Sequence, residues 1–154
     1  MNLTTLRHRD GLEQFKKLSE THQQMQRLCN AIQEKNLDDS VIQKINVELD
    51  ALNAIDQVNS ALRTSIKKAE GNILKILEKD LKIVPINYYR TLWMVLGMSA
   101  FGIPFGVLYG VIIGNMGMIG LGLPFGMSIG IFLGMNLDKK ALAQGKQLAF
   151  ERKY

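Results

Sequence analysis

The sequence has no charged side chain between residues 91 and 137, a stretch of 47 residues. Such a stretch cannot form the surface of a soluble domain, and it is about twice the roughly 20 residues that one membrane crossing requires. Residues 1–90, by contrast, hold 14 Lys/Arg and 12 Asp/Glu, and residues 138–154 hold five Lys/Arg and two Asp/Glu. A wholly soluble globular protein is therefore excluded, and two membrane crossings are predicted.

Residues that carry chemistry are also scarce. Cys29 is the only cysteine, which excludes an intramolecular disulfide and fits a reducing compartment. His8 and His22 have no Cys or His partner at metal-ligand spacing. The sequence contains no GxxxxGK[ST], GxSxG, HExxH or CxxC motif and no cleavable signal peptide at its start. We therefore expect no enzyme, no catalytic residue, no metal and no cofactor.

The charge-free stretch is bordered by residues typical of a membrane interface. Tyr88, Tyr89 and Trp93 precede it with rings that suit the headgroup layer, and Lys139 and Lys140 follow it. Its only turn-like cluster is 114–117, which predicts helical spans at about 91–113 and 119–137.

Orientation follows from the distribution of basic residues. Both flanks are basic, and the connection around Asn115 has no charge. The positive-inside rule then places both termini in the cytoplasm and Asn115 outside.

A 20-residue repeat occupies the two predicted spans. The motif G-[IL]-P-F-G-x3-G-x3-G begins at Gly102 and again at Gly122. Glycines four residues apart share one helix face and let two helix backbones approach closely. The proline of each copy removes one helical hydrogen bond and predicts a kink. The candidate packing or pore residues are Gly102, Pro104, Gly106, Gly110, Gly114, Gly122, Pro124, Gly126, Gly130 and Gly134.

Two interpretations of the glycines stay open. They could seal the two-helix hairpin against itself. Alternatively, the tandem repeat could offer more small faces than one hairpin uses, so that the surplus packs against neighbouring subunits in a ring. Kinkable helices without charge suit a pore that gates by wetting, whereas the lack of an ionisable residue makes a proton relay a poor fit.

Residues 1–90 contain two helical patterns. One runs from about Asp10 to Asn36, and the second from Ser40 to Val84 with Asn59 inside its apolar stripe. Gly71-Asn72 is a candidate break in the second helix, and Pro85 ends it. Two helices with one apolar stripe each bury little surface alone, which predicts a multi-chain bundle on the cytoplasmic side.

A basic stripe lies near the end of the second pattern. At 100° per residue, one helix face carries Lys68, Lys75, Lys79 and Lys82. Three interpretations are open: contact with anionic lipid headgroups, a plain solvated face, or a site for an anionic ligand, either a nucleotide or a short single-stranded nucleic acid.

Residues 97–145 resemble the glycine-zipper two-span segments of small bacterial membrane proteins. The features in common are the Gly-x3-Gly runs, the Gly114-Asn115 turn and the closing 137–140 sequence, Leu-Asp-Lys-Lys. A cytoplasmic helical segment joined to two membrane helices also resembles the membrane effectors of anti-phage defence systems. The Hailong system is one of these, and its effector is a channel held by single-stranded DNA oligomers. The resemblance implies an oligomeric channel that a signal molecule, or its loss, opens.

The sequence thus predicts an all-α fold, a cytoplasmic helical hairpin or coiled coil followed by a two-helix transmembrane hairpin, assembled as a homo-oligomer. Residues 1–87 form the cytoplasmic oligomerisation or sensor domain, 88–138 the hairpin, and 139–154 a basic cytoplasmic tail. The predicted function is an inner-membrane channel gated by residues 1–87, whose partners are itself, the bilayer and an anionic regulator. The alternatives are a non-conducting membrane-anchored scaffold and a holin-like lysis protein.

Overall fold

The computed structural model describes residues 2–9 and 11–152, apart from the side chains of Glu13 and Met118. The chain is mostly helical and divides into two compact units. The first unit extends to Pro85 and includes the residues from Leu148 onward, and the second unit comprises Ile86–Gln147.

The described residues of the first unit form three α-helices. They are α1 (Lys16–Gln33), α2 (Asp39–Asn53) and α3 (Ser60–Ile76), and a short 3-10 helix, Leu12–Gln14, precedes α1. The prediction of a single helix from Ser40 to Val84 is wrong, because the chain leaves the helical conformation after Asn53.

Asn59 explains where the third helix begins. Its side-chain oxygen accepts a hydrogen bond from the backbone N–H of Leu62 at 3.1 Å, which makes it the N-cap of α3 rather than a residue inside an apolar stripe. Gly71 and Asn72 do not break α3. The Asn72 amide instead donates to both carboxylate oxygens of Glu48 on α2, at 3.2 and 3.1 Å.

The three helices bury a common core within one chain. Each helix contributes side chains with no exposed surface or almost none, among them Met25, Leu28, Ile45, Leu49, Leu62 and Ile73. The prediction of a multi-chain bundle rested on the assumption that two helices cannot bury their apolar faces. With a third helix in the same chain, that reason no longer holds.

Two short strands of the described chain lie mostly within the first unit. β1 (Val84–Ile86) pairs with β2 (Gln147–Glu151), and Leu148 and Phe150 of β2 are buried in the core. Before β1, α3 continues into a π-helical turn, Leu77–Leu81. The C-terminal residues, predicted as a basic tail, therefore include a strand that packs into the helical core.

The second unit is a hairpin of apolar helices. Its first arm consists of α4 (Tyr88–Gly97), a π-helical turn at Met98–Gly102, and α5 (Ile103–Ile113). Its second arm consists of a 3-10 segment, Met116–Leu121, and α6 (Gly122–Ala143). Gly114 adopts a positive φ of 70° at the turn, a conformation that favours glycine.

Two helices in the hairpin are long and apolar enough to cross a membrane, namely Tyr88–Ile113 and Ile119–Ala143. They contain the predicted spans 91–113 and 119–137, and the chain turns where the sequence indicated. Each helix extends beyond its predicted span at its charged end.

Candidate functional site

The two arms of the hairpin contact each other backbone to backbone along a ladder of glycines. A Cβ atom at Gly134 would lie 2.5 Å from the Arg90 Cα, and one at Gly126 would lie 2.6 Å from the Gly102 Cα. A Cβ at Gly122 would lie 2.5 Å from the Gly106 Cα. These distances are shorter than any normal Cβ contact, so only glycine permits this approach.

The glycines of the repeat are therefore mostly used inside one chain. Gly102 and Gly110 also face the opposite arm, with nearest atoms 3.1 and 3.4 Å from a built Cβ. Gly114 is the exception, since no described atom outside its own neighbourhood lies within 4 Å of its Cβ position. This geometry favours the interpretation that most glycines of the repeat seal the hairpin against itself.

A π-helical turn keeps the glycines of the first arm aligned. Gly97 and Gly102 are five residues apart, whereas Gly102, Gly106 and Gly110 follow at intervals of four. A spacing of five would rotate Gly97 away from the contact in a continuous α-helix. The π-helical turn at Met98–Gly102 absorbs the extra residue. Gly97 therefore still faces α6, and its built Cβ lies 2.8 Å from the Gly130 Cα.

The two prolines of the repeat occupy different structural contexts. Pro104 lies in the first turn of α5, immediately after the π-helical turn. Pro124 lies in the first turn of α6, after the 3-10 segment. Each proline therefore lies just after a change of helix type rather than in the middle of a regular α-helical run.

Asp138 links the two arms at the open end of the hairpin, which is the end opposite the turn at Gly114. Its carboxylate, on α6, accepts hydrogen bonds from the backbone N–H groups of Tyr89 at 3.1 Å and Arg90 at 2.9 Å. These N–H groups belong to the first turn of α4, where no intrahelical acceptor exists. The buried carboxylate thus caps α4 from the opposite arm. In the sequence, Asp138 only marks the end of the charge-free stretch.

The outer surface of the hairpin is apolar and carries a groove on one side. Among its exposed side chains are Ile112, 72% exposed, and Phe132, 68% exposed. The groove has a volume of about 350 Å³ between the two arms, and its larger lining side chains are Phe105, Tyr109, Leu121, Phe125 and Ile129. Each of these five residues immediately precedes a glycine of the ladder, which places them on one side of the glycine contact.

The four lysines of the predicted stripe are all exposed, but they do not share one regular helix. Lys68 and Lys75 lie on α3, Lys79 lies in the π-helical turn, and Lys82 follows that turn with a positive φ of 57°. The rotation of 100° per residue that places the four lysines on one helix face therefore applies only as far as Ile76. Asp80, beside Lys79, forms an ion pair with Lys44 of α2 at 2.6 Å.

Comparisons of the chain with protein-family models, with curated proteins and with solved structures found no match.

Proposed function

We propose that the chain forms a homo-oligomeric ion channel in the bacterial inner membrane, with both termini in the cytoplasm and with opening controlled by the N-terminal helical domain. In this proposal it acts as a toxic effector of anti-phage defence, regulated by an anionic nucleotide or a short single-stranded nucleic acid. A regulator biases opening only if it binds the open and shut states with different affinities.

The groove beside the glycine ladder is the observation that supports assembly. A two-helix hairpin encloses no lumen, so conduction requires several copies. The groove exposes Phe105, Tyr109 and Phe125 as a concave apolar surface that a helix of a neighbouring copy can fill. Aromatic side chains in such grooves gain much of the van der Waals contact that drives association in lipid. The outer residues carry no charge, which suits a pore that gates by dewetting.

Conductance with a defined unit size is the expected result when the purified protein is reconstituted into planar bilayers. Phe125→Ala widens the groove, and we expect it to weaken self-association at least about tenfold, the effect of roughly 1.4 kcal/mol, and to reduce channel activity. Phe132→Ala is the matched control, because Phe132 is equally exposed on α6 but does not line the groove. Equal behaviour of the two variants would show that the groove is not the interface.

A membrane-anchored, non-conducting scaffold is the second candidate. Two observations favour it: the ladder glycines are used inside one hairpin, and the N-terminal domain buries its own core. Neither part then needs a second copy in order to fold. Protein that is inserted and folded but gives no current at any voltage, with or without added nucleotide, would support this candidate and contradict the channel.

The orientation of the chain in the membrane can be tested by cysteine labelling. In spheroplasts, Asn115→Cys should react with a membrane-impermeant maleimide, whereas Ser40→Cys should react only after lysis. Both positions are exposed in their own units. The native Cys29 is buried, and burial raises the pKa of its thiol to about 11, so it should contribute little background labelling. Labelling of Ser40→Cys in intact spheroplasts, without labelling of Asn115→Cys, would reverse the orientation.

A further inference from the structure

The N-terminal domain has a basic groove between α1 and α3, distinct from the lysine stripe. The groove has a volume of about 360 Å³. Lys17, Glu20 and Arg27 line it from α1, and Arg63 and Lys67 line it from α3. Spacings of three and seven on α1, and of four on α3, place these side chains on one face of each helix. The packing of α1 against α3 brings the two faces together.

The cations that line this groove outnumber its carboxylates. Four cationic side chains line the groove against one carboxylate, Glu20. Within the part of the chain that the structure describes, none of these four cations forms a salt bridge. The Nε–H group of Arg63 is buried and finds no hydrogen-bond acceptor among the described residues. A buried donor without an acceptor is costly, so Arg63 would gain by turning its guanidinium toward an oxygen atom of a bound anion.

The nearest buried carboxylate is already engaged. Glu70 is only 2% exposed, and it pairs with the guanidinium of Arg152 at 3.1 Å. It also accepts a hydrogen bond from the Gln24 amide at 3.0 Å. Burial raises the pKa of Glu70, while Arg152 is the largest of the influences that oppose this shift, and Lys67 is the smallest. Glu70 is therefore already paired with Arg152, and the side chains that line the groove remain four cations against one carboxylate.

We propose that this groove binds a small molecule that carries two or more linked phosphate groups, such as a nucleoside triphosphate. Guanidinium and ammonium groups are the side chains that bind phosphate oxygens most strongly, and Arg63 can present its fork to them. A groove of this volume lies within the range of small-molecule sites. The described residues that line it include no aromatic side chain, so recognition rests on the phosphates rather than on stacking of a base.

The inference deepens the proposed function, because it assigns the anionic regulator to a specific surface. Binding itself does not depend on conduction, so the two can be tested apart. Conductance without nucleotide binding would contradict the proposed phosphate site and leave the channel proposal intact. Nucleotide binding without conductance would support the proposed phosphate site and contradict the channel proposal.

Calorimetric titration of the full chain in an uncharged detergent is the test, with ATP, tripolyphosphate and adenosine as probes. We expect ATP and tripolyphosphate to bind and adenosine not to bind. Binding should weaken when salt is raised from about 0.05 to 0.5 M, because the Debye length shortens. If ATP does not bind, or if adenosine binds equally well, the proposal is wrong. Tight binding of a short single-stranded oligonucleotide without binding of ATP would also overturn it.

Charge-matched variants locate the site. Arg63→Gln combined with Lys67→Gln should weaken ATP binding at least about tenfold, since it removes two phosphate-binding cations and the buried donor. Lys75→Gln combined with Lys79→Gln removes the same charge from exposed positions outside the groove and should leave binding within about twofold. Arg27→Gln, at an exposed position of the groove, provides a second test if the double variant unfolds. Equal losses in the two double variants would mean nonspecific attraction and contradict the groove.

Discussion

Gly130→Ala is expected to lower the free energy of unfolding of the apolar hairpin by about 2 kcal/mol, the middle of the range for overpacking a close contact. The added methyl would meet the carbonyl group of Trp93, with its carbon at 2.8 Å, and the Cα of Met94 at 3.1 Å. Both neighbours are backbone atoms of α4 and cannot rotate away. The two arms must therefore separate, and the contacts along the rest of the ladder weaken with them.

Trp93 provides the measurement, because it is the only tryptophan and its own carbonyl is part of the contact. Its emission should report separation of the arms as SDS is titrated into protein held in a mild detergent. Gly120→Ala is the matched control, since Gly120 belongs to the same arm and no described atom outside its neighbourhood lies within 4 Å of its Cβ position. Equal midpoints for the two variants would contradict a packed glycine ladder.

The pattern of apolar residues was sufficient to predict the hairpin, because the two apolar helices and their turn are determined by local sequence. A charge-free stretch of 47 residues with one turn-like cluster leaves few alternatives to two apolar helices joined near Asn115. The partner of the glycine face could not be predicted, since a Gly-x3-Gly row indicates close approach without indicating to which helix. The π-helical turn was also missed, although the five-residue step from Gly97 to Gly102 was the available signal.

The N-terminal domain was harder to predict because its elements are defined by long-range contacts. No glycine or proline marks the break at residues 54–59, and its clearest signal, Asn59, also fits a polar position within a helix. The strand β2 was not predicted, because the basic tail was inferred from the charge of the C-terminal residues alone. Its exposed and buried residues nevertheless alternate, with Leu148 and Phe150 directed into the core. The groove that contains Arg63 depends on how α1 packs against α3, which no local pattern reveals.

Asp138→Ala is expected to destabilise the open end of the hairpin by about 1–3 kcal/mol, the cost of leaving buried donors without their charged acceptor. Asp138 accepts from the backbone of Tyr89 and Arg90, and it places negative charge at the positive end of the α4 dipole. Asp138→Asn should fall between Ala and the native residue, because an amide keeps one acceptor oxygen but loses the charge and the second acceptor.

Hydrogen exchange distinguishes loss of this cap from general unfolding. In Asp138→Ala, the amides of Tyr89 and Arg90 should exchange much faster, while amides in the middle of α6 stay protected, because only the first turn of α4 loses its acceptor. Asn136→Ala is the control, since Asn136 is an exposed polar residue two positions earlier on the same helix. Unchanged exchange at Tyr89 and Arg90 in Asp138→Ala would show that water or another acceptor satisfies these donors. Faster exchange throughout the hairpin would instead mean that Asp138 holds the two arms together as well as capping one of them.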